Sequence, residues 1–261
     1  KGMAMSQYQS NNRLRGSSFQ LGAFHKNGFN WNGYASFKAA ADYRNRYDGP
    51  VYNSRFREFN SGGYIGWNKA WGYSHVIFSR FNQKAGVVEG ERNSLGQFIK
   101  SVGGGNSQPA TESDFLSVTP QVPWQHIRHT RLVSDNSFNV AGGRITVNAA
   151  WQRNVRQEFG NADDPEEKSL HFDLNTVTLS SIYHFGSAAR WQSSIGISGM
   201  HQENRNRGVE LLIPAYRSSD AGAFFHTRKT KGKFTFSGGL RFDARGIRSE
   251  GYAENNEVKF T

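Results

Sequence analysis

Arginine and tyrosine dominate the stretches of this chain whose residue types could do chemistry. Arg46, Tyr52, Arg55, Arg57 and Arg92 fall in or beside polar, irregular segments, and His201, Arg205 and Arg207 close a later strand-like run. Tyr47 and Arg217 accompany them. Guanidinium groups offer fixed forks of donors that fit carboxylates and phosphates, and aromatic rings can stack on a flat ligand. A ring of arginine around a mouth would also concentrate anions there. The first eight, without Tyr47 and Arg217, are the candidate ligand-binding set, with solvated loop charge as the plainer reading of any one of them.

Catalytic signatures are missing. The sequence has no GxSxG, no HExxH and no P-loop, so no enzyme activity and no cofactor is expected. It has no cysteine, which excludes disulfides and thiolate-bound metals. His126 and His129 lie three apart on an expected strand, on opposite faces, and make a poor metal pair. The acidic group Asp163, Asp164, Glu166 and Glu167 lacks the ligand spacing of an EF-hand loop and reads as a solvated loop. The net charge is +11, but the basic residues are scattered, so no nucleic-acid partner is expected. Anionic solutes, or the phosphates of lipopolysaccharide, suit the charge better.

The elements that must position these residues announce themselves through proline and glycine. Pro50, Pro109, Pro120, Pro123, Pro165 and Pro214 all avoid the long alternating segments, as paired strands require. Long polar loops alternate with tight glycine turns, the pattern of antiparallel strands crossing a membrane. Ten strands are expected, over 13–25, 29–44, 60–71, 73–85, 124–140, 144–159, 168–185, 191–207, 216–230 and 233–248. Tight turns fall at Asn27-Gly28, Gly72, Gly142-Gly143, Gly186-Ser187-Ala188 and Lys231-Gly232. Residues 87–121 read as a long irregular loop. Aromatic residues gather beside the tight turns, among them Phe24, Phe29, Trp31, Trp71, Tyr73, Tyr183, Phe185, Trp191 and Phe234, as an interfacial girdle would.

Composition agrees. With 20 Phe, 10 Tyr and 6 Trp among 261 residues, yet a negative mean hydropathy, the chain suits a wall with lipid on one face and water on the other. No apolar run is long enough for a transmembrane helix, which leaves a barrel as the spanning structure. The expected fold is all-β, a partial antiparallel transmembrane β-barrel in the cell outer membrane. The whole of residues 1–261 is expected to be that barrel portion. The N-terminus leads straight into polar sequence without a signal peptide, and the C-terminus lacks a terminal aromatic, so the chain is expected to be a fragment that aggregates without detergent.

Several segments in order carry a resemblance. Asn204-Arg205-Asn206-Arg207-Gly208 with Leu212-Ile213-Pro214-Ala215-Tyr216 resembles the barrel of TonB-dependent outer-membrane receptors. So do Thr227–Thr230 with Ser237–Asp243, and the segments Gly63–Gly66, Phe78–Phe81, Pro123–Ile127 and Arg156–Phe159. The resemblance covers nearly the whole chain. It implies about ten strands of a roughly twenty-two-stranded barrel filled by a plug domain. It also implies import of a scarce nutrient, such as a ferric siderophore, another iron chelate, cobalamin or a sugar, powered by the TonB complex. The plug, the TonB-contacting segment and the closing strands are not seen in this sequence. A passive porin-like channel, with 87–121 as its constriction, and a soluble surface carbohydrate-binding β protein are the competing expectations.

Overall fold

The computed structural model describes residues 1–186, 191–249, 252–254 and 257–259. Three strands open the chain: β1 (Gly2–Gln9), β2 (Leu14–Phe24) and β3 (Phe29–Ala40). A loop holding the two-residue strands β4 (Arg44–Asn45) and β5 (Gly49–Pro50) leads to β6 (Phe56–Lys69) and β7 (Gly72–Gly86). The next connection carries β8 (Ile99–Gly103), β9 (Asn106–Pro109) and the short helix α1 (Glu112–Leu116). Six long strands follow: β10 (Trp124–Val140), β11 (Gly143–Phe159), β12 (Leu170–Phe185), β13 (Trp191–Asn206), β14 (Tyr216–Lys231) and β15 (Phe234–Ser249). A separate hairpin pairs β16 (Tyr252–Glu254) with β17 (Glu257–Lys259).

The long strands form one eleven-stranded antiparallel sheet in sequence order, open between β1 and β15. Ten of its strands are those expected. The eleventh is β1, paired along its whole length with β2. Its turn, Ser10–Arg13, contains no glycine and instead places Arg13 at φ 50°, so the usual turn signal is missing. The second expected strand also ends early, at Ala40 rather than Arg44. Tight turns and long loops occupy opposite ends of the sheet, with the β1–β2 link a short exception at the long-loop end. Gly28 shows what a tight turn demands: its φ is +86°, and a Cβ there would collide with the Asn68 carbonyl. The expected turn at Gly186-Ser187-Ala188 extends into residues 187–190, which lie outside the described residues. Residues 260–261 of the C-terminus lie outside them too.

In an antiparallel pair, directly opposed residues share a face. The register therefore sorts every side chain. Phe78 opposes Leu132, Leu132 opposes Trp151, and Trp151 opposes Val177. Tyr183 opposes Ile195, Ile195 opposes Phe225, and Phe225 opposes Leu240. Phe19, Phe37 and Phe59 continue the same face across the first strands. The other face carries Arg131, Gln152, Thr176, Gln202 and Ser218 in one register line. Large side chains on the apolar face stand open, with Phe19 60%, Ile197 59% and Leu240 81% exposed. A water-soluble fold would bury such a surface, because it rarely leaves contiguous apolar area uncovered. The cluster of buried apolar residues lies instead among the loops, where Val51, Tyr52 and Phe98 pack with Ala110 and Phe115.

The aromatic residues beside the tight turns pack on one another: Phe29 meets Trp67 across strands at 5.1 Å, Trp71 stacks on Phe138 at 5.6 Å, and Tyr183 meets Phe185 edge-on at 4.7 Å along β12. Among the described residues no helix is long and apolar enough to cross a membrane.

The two faces can be told apart by single cysteines, since the chain has none of its own. In the full-length protein in membranes, Ser198→Cys should react with a water-soluble maleimide, and Ile197→Cys should be protected and quenched by a lipid-borne quencher. Equal labelling of the two neighbours would show that the register has been assigned to the wrong environment.

Candidate functional site

The long-loop end is a folded cap rather than a set of free loops. Its centre is Asp42, which has left β3 and is buried with Arg55. Arg55 donates through Nε (3.1 Å) and Nη2 (2.7 Å) to the two carboxylate oxygens of Asp42, and its backbone N–H donates at 3.0 Å. Neither side chain is exposed to solvent. Nη1 of Arg55 finds no hydrogen-bond acceptor, but the Tyr52 ring lies 5.1 Å from the guanidinium carbon. Burial pushes the Asp42 carboxyl above its ordinary range, with Arg55 pulling the other way. The pair is thus one whose rupture costs far more than its presence contributes.

Asn53 ties this centre to the longest connection. Its side-chain nitrogen shares two hydrogens among the carbonyls of Val87 (3.2 Å), Gln121 (2.8 Å) and Pro123 (2.7 Å), and its side-chain oxygen accepts from the Gln121 N–H. Asn53 sits at φ 61°, a conformation asparagine tolerates better than most residues. Gly86 completes the junction, since a Cβ there would collide with the Asn53 backbone oxygen. Residues 87–121, expected to be irregular, instead hold the β8–β9 hairpin and α1. Thr111 and Asp114 form a reciprocal capping box at the start of α1. Lys100 reaches over from β8 to Asp114 at 2.7 Å.

The structure divides the eight expected site residues three ways. Tyr52, Arg55 and Arg92 build the cap: Tyr52 is buried and burial pushes its hydroxyl up to about 12, Arg55 is locked on Asp42, and Arg92 pairs with Asp48 at 2.6 Å and covers the Phe98 ring at 3.8 Å. Arg46 alone projects freely, in the turn between β4 and β5. Arg57, His201 and Arg205 lie in strands, Arg57 in one where a loop was expected, and the register puts them on the same face as the apolar side chains. Arg57 opposes Ala39, His201 opposes Val177, and Arg205 opposes Asp173. Arg207 joins them through Asp173, 3.6 Å away. A single ring around a mouth is therefore not what the fold assembles. β6 begins at Phe56, earlier than the expected 60, which takes Arg57 into a strand. β13 holds His201 and Arg205 as expected, and alternation sends neighbours along each strand to opposite sides.

What sequence reasoning passed over is a polar-face cavity of about 740 Å³ on β11–β15. It is lined by Asn148, Thr178, Ser180, Ser198, Asp220, Arg241, Asp243 and Arg245. Arg245 grips Asp220 bidentately at 2.8 and 2.7 Å, and Arg241 grips Asp243 at 2.7 and 2.6 Å. Four alternating-sign groups held in fixed forks, beside hydroxyls and amides, make a surface for a hydrated polar solute. Its signal was present in the sequence as the i, i+2, i+4 series Arg241, Asp243, Arg245. His126 bonds Asn82 at 2.8 Å and His129 bonds Asn154 at 3.3 Å, each toward a different strand. In the acidic loop, Asp163 accepts from the backbone N–H of Gly104 and Asn161 donates to Glu167 at 3.0 Å, so the loop is tied to the cap. No group of three metal-ligating side chains occurs among the described residues.

No family model matches the chain, and no curated protein matches it in sequence. Its structure does find relatives. It superposes on the FrpB iron transporter from Neisseria meningitidis (F3-3 variant) with a TM-score of 0.65 at 14% identity, over 94% of this chain and 39% of that one. The siderophore receptor PirA from Acinetobacter baumannii gives a TM-score of 0.62 at 11% identity, over 95% and 39%. The ferric citrate transporter FecA, unliganded, gives 0.57 at 10%, over 95% and 38%. These neighbours are transporters and receptors, not enzymes. The chain spans about two fifths of each. It has the fold of a section of an outer-membrane receptor barrel, and the resemblance seen in the sequence holds at that level.

Two outcomes follow for the cap. Arg55→Met strands a buried carboxylate and should cost about 3–5 kcal/mol locally, seen as new protease cleavage within 87–123 while the long strands stay resistant. Undiminished resistance would mean that the clasp does not hold the cap. At Asp114, burial raises the carboxyl, but hydrogen bonds from Lys100 and Thr111 outweigh it and hold the group at about 2. A depressed carboxyl stabilises fully above its unfolded value of 3.8 and loses that contribution as pH falls toward 2. Hydrogen exchange of α1 and β8 in the wild type should therefore accelerate between about pH 4 and pH 2, whereas Asp114→Asn, which lacks the titrating group, should show no such step.

Proposed function

We propose that residues 1–261 form part of the wall and the extracellular cap of an outer-membrane receptor that captures a scarce nutrient, an iron chelate foremost, and imports it with energy from the TonB complex. On this reading the apolar face meets lipid, the polar face lines the barrel, and a plug domain and further strands come from elsewhere in the protein. Ligand capture falls to the polar wall and the underside of the cap. The carrying observation is the two-faced eleven-stranded sheet: one face exposes a continuous field of large apolar residues, and the other presents the paired Arg241, Asp243, Asp220 and Arg245. Strands of up to 17 residues exceed the roughly 9–11 that a tilted crossing needs, leaving height above the membrane for a cap. The described functions of the structural neighbours, iron and siderophore uptake, support the choice of cargo. The exposed apolar field speaks against a soluble carbohydrate-binding protein.

The mechanism asks little chemistry of the chain. Arg241 and Arg245 offer forks to an anionic chelate, and Asp243 and Asp220 hold those forks rigid while no ligand is present. Exchange of a carboxylate partner for a ligand carboxylate keeps the guanidinium satisfied, so capture and release need no large barrier.

The test uses the full-length protein as sole receptor in iron-starved cells given radiolabelled ferric citrate and, separately, labelled ferric siderophores. Saturable uptake that stops when the protonmotive force is collapsed is expected. Arg241→Ala with Arg245→Ala, which leaves two unpaired carboxylates on the wall, should cut uptake of an anionic chelate by about tenfold or more. Uptake that persists unchanged without the protonmotive force would replace this reading with a passive channel.

A further inference from the structure

We infer that the apolar-face side of β11–β15 carries, at the loop end, a binding site for the phosphate groups of a membrane lipid, and that Arg153, Arg205, Arg207, Arg217 and Arg248 form it. The inference rests on the proposal that this face meets lipid.

Register supplies the geometry. On that face Arg153 opposes Asn175, Asn175 opposes Glu203, Glu203 opposes Arg217, and Arg217 opposes Arg248, so these residues form one row across five strands. The row above it, toward the loops, holds Val155, Asp173 and Arg205. The row below holds Trp151, Val177, His201 and Ser219. One row lower still come Ala149, Leu179, Gly199 and Ala221, the first of these rows with no polar side chain. Four residues of strand separate the arginine row from that level, about 13 Å along the strand and about 9 Å in height at a tilt near 45°. With a headgroup layer roughly 5–8 Å deep on each side of the hydrocarbon, that sets the arginine row at the outer edge of the headgroups.

Charge supplies the ligand. The two rows and Arg207 bring five arginines against two carboxylates. Asp173 serves Arg153 at 2.7 Å and Arg207 at 3.6 Å, and Glu203 serves Arg205 and Arg217, both at 3.1 Å. A carboxylate shared between two guanidinium groups leaves donors of each unused. Arg205, Arg207, Arg217 and Arg248 also line a single cavity of about 570 Å³, within the range that holds a small ligand or headgroup. A cluster of this sign beside an apolar field fits an amphiphile with phosphates at the boundary. It does not fit a soluble anion, which gains nothing from the field below. The occupant is therefore a phosphorylated glycolipid of the surrounding leaflet, of the lipopolysaccharide type. This also gives Arg205 and Arg207, expected at first to bind cargo, a partner outside the barrel.

The experiment titrates full-length protein in a zwitterionic detergent with bisphosphorylated lipid A, its dephosphorylated form and inorganic phosphate, reading bound lipid by native mass spectrometry. Wild-type protein should prefer the bisphosphorylated lipid to the dephosphorylated one by about tenfold or more. The triple variant Arg205→Gln, Arg217→Gln, Arg248→Gln should lose that preference, while heat-modifiable gel mobility shows it folded. Arg241→Gln with Arg245→Gln, on the other face, should retain it. Equal binding of the two lipids by wild-type protein would overturn the inference without any variant. So would inorganic phosphate competing as well as the lipid, or a preference that survives in the folded triple variant. A protein that imports its cargo but shows no lipid preference would sink this inference alone, whereas one whose apolar face labels from water would sink the membrane reading beneath it.

Discussion

Everything in this molecule depends on one geometric constraint: directly opposed residues of an antiparallel ladder must point to the same side. Once the backbone of eleven strands is paired without a slip, a single residue's facing fixes that of its neighbours across the sheet. The apolar field and the polar wall are consequences of that locking. A register shift of one residue would carry Ile197, Phe225 and Leu240 to the wall and Arg241 and Arg245 to the field, so lipid and water on opposite sides would both penalise it. The tight glycine turns set the register, and the environment keeps it.

The cap obeys a different logic. Its segments have no ladder in common with the main sheet. Order comes from the small apolar cluster of Val51, Tyr52, Phe98, Ala110 and Phe115 together with a short list of polar contacts: a buried ion pair, one asparagine at positive φ and one capped helix. Each partner is far away in sequence or isolated among polar neighbours. Asp42 is thirteen residues from Arg55, and Asn53 is about seventy from Pro123. Such contacts specify a conformation more than they add stability, since desolvation offsets most of the Coulomb attraction. The sheet is stiff because it is repetitive, and the cap is stiff because a few groups are over-determined.

That difference explains what could be read from the sequence. Strand alternation and glycine turns are local, so ten of the strands and four of the described tight turns were legible at once. β1 escaped because Ser10–Arg13 turns without glycine. The hairpin and helix within 87–121 escaped because Phe98 and Phe115 look like isolated apolar residues until the fold brings them to Val51 and Tyr52. Arg55 reads as a surface charge until Asp42 is seen beside it. Arg57 was hidden by a strand start placed four residues late, whereas His201 and Arg205 stood in an expected strand, and which face of that strand meets which surroundings follows only from its pairing with the neighbours. The paired carboxylates and arginines on the polar wall were spaced legibly, yet only cross-strand pairing joins Asp220 to Arg245.

The Asn53 junction has an evolutionary consequence. At Val87 and Pro123 it reads main-chain oxygens alone, and every amino acid supplies the same oxygen. Substitutions at those anchor points leave the junction chemically unaltered, provided the new residue accepts the local backbone angles. The outermost segment can then drift in side chains while its path stays put. The path of the chain there is thereby separated from the identity of its side chains, so the segment can change its appearance without renegotiating its shape.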